Sequence, residues 1–363
     1  MRGLYIHIPF CKHICSYCDF PKMVSNSKNY GIYLEKVKEE IESKKDDLRG
    51  ITSVYIGGGT PNVLSDFELE SLLKYIYPYL KAAKENTIEC NPELLTNAQA
   101  ELFYKYGINR VSLGVESISD SGLKTLGRRH TKNDVHRACE ILRANHIQNI
   151  SMDFIFGYPY ETIDNLLADL EYVYSENIPH VSFYSLILEE KTIFSHLLEK
   201  GELKLLDDDL IADMYDLINQ SLRSHGYKHY EVSNYAKEGF ESIHNELYWM
   251  EMEYVGIGMG ASGFIDGYRY SNHKSLKKYL LNAEEERIFI SEAEEKKEFM
   301  MLGLRMLDGI SINRYKERYH SSPFEDFDLS KHLENGLLKI EGDRIFIPED
   351  KLFIANIVYE TFV

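Results

Sequence analysis

The sequence is short of positive charge: 41 lysines and arginines stand against 58 aspartates and glutamates, a formal net charge of −17. A nucleic-acid backbone would meet net repulsion from such a chain, so no nucleic-acid partner is expected. No apolar run approaches the roughly 18 residues that a spanning helix needs. The first residues, MRGLYIHIPF, carry neither the apolar stretch nor the cleavage site of a secretory signal, which predicts a cytoplasmic protein. There is no low-complexity tract and no repeat with a period of roughly 20 to 50 residues, so solenoids and propellers are set aside. Cysteines are few and odd in number, five in all. In an unexported chain this argues for reduced thiols rather than disulfides.

What is present is an ordinary globular composition, 44% hydrophobic and 27% charged over 363 residues. A chain of that length buries roughly three quarters of its unfolded surface. Short β-rich runs alternate with helical patterns. The strand candidates are Gly3 to Ile8, Ser53 to Ile56, Thr87 to Cys90, Arg110 to Val115, Ile150 to Ile155 and His180 to Leu186. Between them, Tyr30, Tyr33, Leu34, Val37 and Ile41, and then Leu69, Leu72, Leu73 and Ile76, fall at helical spacing. Ser65 and Glu68 form a capping box for the second of these helices, and Pro78 is expected to stop it.

Successive βα units require a parallel sheet with right-handed crossovers. In the first strand Leu4, Ile6 and Ile8 share one face and leave Tyr5 and His7 on the other, as where polar residues line an interior or a site. The expected fold is therefore α/β, a partial (β/α)6 TIM-like barrel with a small C-terminal α+β domain. The expected division is a barrel over 1–235, a connecting segment over 236–298 and the small domain over 299–363. The charged stretch Asn282 to Glu298 reads as a boundary helix or linker, and LLKIEGDRIFIP as a terminal hairpin.

Three cysteines, Cys11, Cys15 and Cys18, sit in CKHICSYC directly after the first strand, at the end of a parallel strand where such folds place their chemistry. Thiolates at this spacing can converge on one soft metal centre. Three ligands are too few for a closed structural zinc site unless a fourth such as His13 joins them. They suit an iron-sulfur cluster with one iron open to another ligand. Cys90 and Cys139 stand alone.

The stretch YIHIPFCKHICSYCDF resembles the radical S-adenosylmethionine superfamily, and within it the group related to oxygen-independent coproporphyrinogen III oxidase. The similarity runs from Leu4 to about Gly309. It implies that Cys11, Cys15 and Cys18 hold a [4Fe-4S] cluster whose fourth iron is chelated by S-adenosylmethionine. GGGTPNVL implies that Gly58, Gly59 and Thr60 bring the backbone close to the methionine end of that cofactor. Tyr5, Tyr17, Glu89, Glu116 and Asp153 are cofactor-binding candidates on the same ground, and Arg128 in LGRRH matches an arginine that reaches a cofactor molecule. Three carboxylates at one mouth also suit a cationic sulfonium with ribose hydroxyls. Two positions depart from the family pattern: Glu116 replaces a glutamine and loses its amide donor, and Tyr158 replaces a leucine.

The oxidase extends its motif with a further cysteine two residues beyond the third, where this chain has Phe20. His244, Asn245, Tyr248 and Trp249 spell HNxxYW, the signature of the heme-chaperone branch, in which the histidine is linked to heme. A neutral imidazole can ligate heme iron and aromatic rings offer a macrocycle a flat apolar surface. On a helix His244 and Tyr248 would share a face. The plainer alternative is an aromatic corner in which Trp249 packs and His244 is hydrogen-bonded. The expected function is a heme chaperone delivering heme to acceptor proteins such as membrane respiratory complexes, with a homodimer also admitted. The alternative is a radical enzyme that abstracts hydrogen from a porphyrinogen, so enzymatic activity is open at this stage.

Overall fold

The computed structural model describes residues 1–363. All six strand candidates form strands: β1 (Arg2–Ile8), β2 (Ser53–Gly58), β3 (Glu85–Cys90), β4 (Arg110–Glu116), β5 (Asn149–Phe156) and β6 (His180–Ser185). They pair in sequence order, every neighbour parallel. Helices connect them: α1 (Tyr30–Ser43), α2 (Asp66–Ala82), α3 (Asn97–Tyr106), α4 (Asp120–Leu126), α5 (Lys132–Ala144) and α6 (Ile163–Ser175). The capping box forms as expected: Ser65 N–H donates to the Glu68 carboxylate at 3.0 Å, and Glu68 N–H to the Ser65 hydroxyl at 3.4 Å. Pro78 does not stop α2, which runs on to Ala82. The proline faces solvent, where the carbonyl it leaves without a donor can be hydrated, while Leu80 at 2% exposure gives the last turn a core contact.

After β6 come α7 (Ile193–Glu199) and α8 (Asp208–Ser224), then β7 (Lys228–Glu231), β8 (Asn234–Ala236) and α9 (Ile243–Trp249). Residues 236–298, expected to connect two domains, instead contribute β9 (Glu253–Ile257), β10 (Ser262–Ile265), β11 (Tyr268–Asn272) and β12 (Glu284–Phe289) to the same sheet. β9 pairs with β1 in parallel, and β10 to β12 continue antiparallel. The sheet order is β12-β11-β10-β9-β1-β2-β3-β4-β5-β6-β8-β7, mixed and open, with its two edge strands not paired to each other. The buried Glu40 carboxylate on α1 ties this segment down: it accepts from Gly258 N–H at 3.0 Å, Asn272 Nδ2 at 2.8 Å, Tyr279 hydroxyl at 2.8 Å and Lys44 Nζ at 3.0 Å. The stretch Asn282 to Glu298 holds β12 and most of a helix, Glu292–Gly303.

The two faces of the parallel strands differ throughout. One carries Leu4, Ile6, Ile8, Val54, Ile56, Ile88, Val111, Leu113, Met152 and Val181, all fully buried. Each such aliphatic side chain contributes about 1.5–3 kcal/mol by leaving water. The register lines up the other face in polar rows: Tyr5 beside Tyr55, Thr87 beside Arg110, Glu89 beside Ser112, Ser112 beside Ser151, and Asp153 beside Ser182. A period of two therefore builds a hydrophobic core on one side and a polar interior on the other. The C-terminal extension adds the expected hairpin, Lys339–Glu341 with Arg344–Phe346. Its Tyr315, Leu329, Val358 and Phe362 belong to the same core as the sheet. No helix is long and apolar enough to cross a membrane.

Candidate functional site

The polar face meets the cysteine loop at the C-terminal ends of the strands. Cys11, Cys15 and Cys18 are free and partly exposed, whereas Cys90 and Cys139 are buried in the core. Burial raises the Cys11 thiol, opposed chiefly by a hydrogen bond from Thr60, and pushes Cys18 up to about 11 against the nearby Lys22 charge. The Thr60 hydroxyl donates to Cys11 Sγ at 3.6 Å, and Arg128 Nη1 to Cys15 Sγ at 3.6 Å. No group of three or more His, Cys, Asp or Glu side chains closes on a single-ion position, and His13 does not complete one. A cuboidal cluster gives each thiolate its own iron, so its ligands stand further apart than those of one ion. The donor set fits such a group: three accessible soft ligands, flanked by a hydroxyl and two cations that favour the thiolate form.

On the strand face below the cysteine loop lie the carboxylates. Glu89 accepts from Gly58 N–H at 2.9 Å and from the Tyr55 hydroxyl at 2.8 Å. Burial outweighs both bonds and pushes it up to about 7, with Asp153 and Glu116 adding like-charge repulsion. Glu116 is likewise pushed to about 7 by burial, although Arg128 stands 4.0 Å away and Tyr17 lies beside it. Burial raises Asp153 too, against hydrogen bonds from Ser112 at 2.7 Å and Ser182 at 2.8 Å. Three carboxylates held at elevated proton affinity gain most from a permanent cation placed among them, which is what a sulfonium offers. Arg128 faces the opposite situation. Burial works against its charge, and Tyr17, Cys15 and Glu116 more than offset that, while Asn91 Oδ1 at 3.0 Å and Gly114 carbonyl at 2.5 Å fix the guanidinium.

The glycines earn their place through close approach. Gly58 has φ +107, and a Cβ on it would lie 2.3 Å from the His7 ring; one on Gly57 would lie 2.7 Å from the Glu89 carboxyl, and one on Gly59 2.7 Å from the Ile8 carbonyl. The run is thus both a turn that needs glycine and a cradle for the site. Glu116 adopts φ 62 where the β4–β5 register slips, a left-handed conformation that costs about 1–3 kcal/mol and aims its side chain at Arg128.

The structure therefore brings together Tyr5, Tyr17, Gly58, Gly59, Thr60, Glu89, Glu116, Arg128 and Asp153 with the three cysteines. Tyr5 senses the Glu89 charge and donates to or accepts from His7 Nδ1 at 2.9 Å, and His7 Nε2 reaches the Pro21 carbonyl at 2.7 Å. Sequence reasoning did not single out Tyr55, Ser112, Ser182 or Asn91 as site residues. Extending the β1 alternation to the next strands would have found Tyr55 and both serines, since they occupy the same face. Tyr158 packs in a small cluster with Leu126, Ile155 and Phe194.

His244 lies at the strand end away from the cysteines, one side chain from the carboxylates: it stacks on Tyr55, which donates to Glu89. α9 lies at the N-terminal edge of the sheet, where Ile243 and His244 N–H both donate to Glu85, the first residue of β3, at 3.0 Å. Strands of this length put it roughly 20 Å from the cysteine end. His244 does share a helix face with Tyr248, and both its ring nitrogens are engaged, Nδ1 with the Ser53 hydroxyl at 2.8 Å and Nε2 with the Tyr248 hydroxyl at 2.9 Å. The residue is 1% exposed, and burial pushes the imidazole down to about 3, so it is neutral. Ligation of an iron there requires one of those two hydrogen bonds to break.

Residues 5–173 match the Radical SAM superfamily, and residues 290–350 match the HemN C-terminal domain. The chain is 38% identical to a protein of Lactococcus lactis named heme chaperone HemW, over 100% of this chain and 97% of that one. It is 35% identical to the Bacillus subtilis protein of the same name, over 100% and 99%. The crystallised coproporphyrinogen III oxidase HemN of Escherichia coli superimposes with a TM-score of 0.86 at 19% identity, covering 99% of this chain and 89% of that one, a likeness of fold.

Proposed function

The chain belongs to the radical SAM superfamily and, within it, to the HemW family, and on that premise we propose that it is a heme chaperone. In this reading the βα units form a partial (β/α)6 barrel. Cys11, Cys15 and Cys18 hold a [4Fe-4S] cluster, and the chain delivers heme to acceptor proteins such as respiratory-chain components. The observation that carries the reading is end-to-end similarity to proteins named heme chaperones, together with Phe20 at the position where the oxidase has its additional cysteine.

When bound, the cluster supplies an open iron and an electron to S-adenosylmethionine. The chain's own residues do the rest. Glu89, Glu116 and Asp153 would accept from the ribose and balance the sulfonium charge, Gly58 and Gly59 would allow backbone close approach, and Thr60 and Arg128 hydrogen-bond the cysteine sulfurs. The test is anaerobic reconstitution followed by iron, sulfide and hemin stoichiometry, then mixing of the hemin-loaded chain with an apo-cytochrome. Transfer of the heme absorption band faster than from free hemin supports the proposal; absence of hemin binding removes it.

A second reading, a radical enzyme acting on a porphyrinogen, would use the same polar face and cofactor. Release of 5′-deoxyadenosine coupled to coproporphyrinogen decarboxylation would put it first.

A further inference from the structure

We propose that the heme carried by this chain sits at the outer mouth of the cysteine loop, its propionates held by Lys22, Lys191 and Lys274, and not in the pocket of His244. This rests on the heme-chaperone reading. The mouth is a cavity of about 360 Å³, within the roughly 300–1,000 Å³ typical of small-molecule sites. Cys15 and Cys18 form one wall, so a ligand there lies against the cluster loop.

The chemistry of the lining is specific. Its apolar part is Ile14, Phe20, Pro21 and Ile193. Phe20 is 60% exposed, Ile193 48% and Ile14 40%, a concentration of large apolar side chains that water covers at a cost. Its charged part consists of the three lysines alone; no acid lines the cavity, in a chain whose acids outnumber its bases by 58 to 41. None of the three makes an ion pair within the chain. Lys22 Nζ donates to the carbonyls of Cys18 and Phe20, which props the loop that presents Phe20, while Lys191 and Lys274 have no side-chain partner within the chain. An apolar slot with a rim of unpaired cations matches a flat apolar ring that carries two carboxylates.

The slot is built from three separate segments that are fixed to one another. Phe194 N–H donates to the Ser16 carbonyl at 3.0 Å, which pins the start of α7 to the cysteine loop. Gly260 approaches Pro21 so closely that a Cβ would lie 2.5 Å from its ring, with Lys274 Cγ at 3.6 Å. The wall is therefore preorganised. His244, by contrast, has no free nitrogen and is 1% exposed.

The experiment titrates the cluster-reconstituted chain with hemin and with hemin dimethyl ester, whose carboxylates are capped, following the heme absorption band. Wild type is expected to bind hemin about tenfold more tightly than the ester. Lys191→Glu with Lys274→Glu should weaken hemin about tenfold and leave the ester unchanged, because two exposed charge pairs account for a change of that size. Ile193→Ser should weaken both ligands alike, and His244→Ala should keep the wild-type ratio. Iron and sulfide content of each variant shows that the cluster loop is intact. If the lysine reversal leaves hemin affinity at wild type while the chain still binds hemin, the seat lies elsewhere and the chaperone reading survives. If wild type binds neither ligand, that reading falls together with the seat.

Discussion

The His244 imidazole stacks on the Tyr55 ring, with centroids 5.1 Å apart and planes at 30°. Tyr55 in turn donates to Glu89, so the aromatic corner of α9 is joined through one side chain to a carboxylate of the candidate site. The histidine acts from this position as a buried structural link between α9 and the strands. His244→Ala would leave the Ser53 and Tyr248 hydroxyls without their partner and open a cavity beside Tyr55. A loss of about 2–4 kcal/mol is expected, read by urea unfolding of the cluster-free chain. His244→Asn, able to keep one of the two bonds, should lose less. Equal stability of His244→Ala and wild type would show that the corner carries no structural load.

Glu89 gives stability a pH dependence whose sign is fixed by its environment. Folding raises its proton affinity from the ordinary 4.5 to about 7, so between these values the folded chain holds more protons than the unfolded one. This contribution is fully favourable below about 4.5, declines as pH rises through about 7 and is level above. Glu89→Gln keeps an acceptor for Tyr55 and Gly58 without the buried charge. At pH 8 the cluster-free variant should be more stable than wild type by about 3 kcal/mol, with the gain vanishing near pH 4.5. The same variant should bind S-adenosylmethionine at least tenfold more weakly, by anaerobic calorimetry, because the sulfonium loses an anionic neighbour. Unchanged stability and unchanged affinity would together remove Glu89 from the site.

The polar face was legible because strands with one dry side write their alternation into sequence, as Leu4, Ile6 and Ile8 do against Tyr5 and His7. Pro78 misled because the rule that proline ends helices considers only the backbone; the core contact of Leu80 sits outside it. The role of residues 236–298 was hidden for a different reason. β9 lies beside β1 across some 250 residues of chain, and nothing local to EYVGI announces that pairing. β12, EEERIF, is an edge strand with five of its six residues exposed, so it lacks alternation and reads as a linker. In HNxxYW, the spacing placed His244 beside Tyr248 correctly, yet only the tertiary fold shows α9 at the strand end opposite the cysteines.

The five cysteines divide cleanly by environment, which makes metal content a direct check on the cluster assignment. Cys11→Ala, Cys15→Ala and Cys18→Ala should each abolish iron and sulfide incorporation, since the remaining two thiolates leave two corners of a cube unheld. Cys90→Ala and Cys139→Ala should retain full incorporation and lose only about 1 kcal/mol of stability from the vacated core volume. Cluster retention in any of the first three would overturn the ligand set.

Arg128 is the residue where charge and shape must both be right. Its guanidinium reaches Cys15 Sγ, Asn91 and the Gly114 carbonyl, and stands 4.0 Å from Glu116. A lysine carries the same charge as a single point and cannot span partners on three sides. Arg128→Lys should therefore behave much like Arg128→Ala in one respect, losing the fixed orientation of Glu116 and with it about tenfold in S-adenosylmethionine affinity. It should differ in another: a positive charge retained beside the cysteine loop, where Arg128 Nη1 donates to Cys15 Sγ, still balances an anionic cluster, so Arg128→Lys keeps its cluster after anaerobic reconstitution while Arg128→Ala loses it more readily on exposure to a chelator. Iron retention measured against time in chelator, alongside cofactor calorimetry, separates the two contributions, and identical behaviour of the two variants in both assays would show that Arg128 acts by geometry alone.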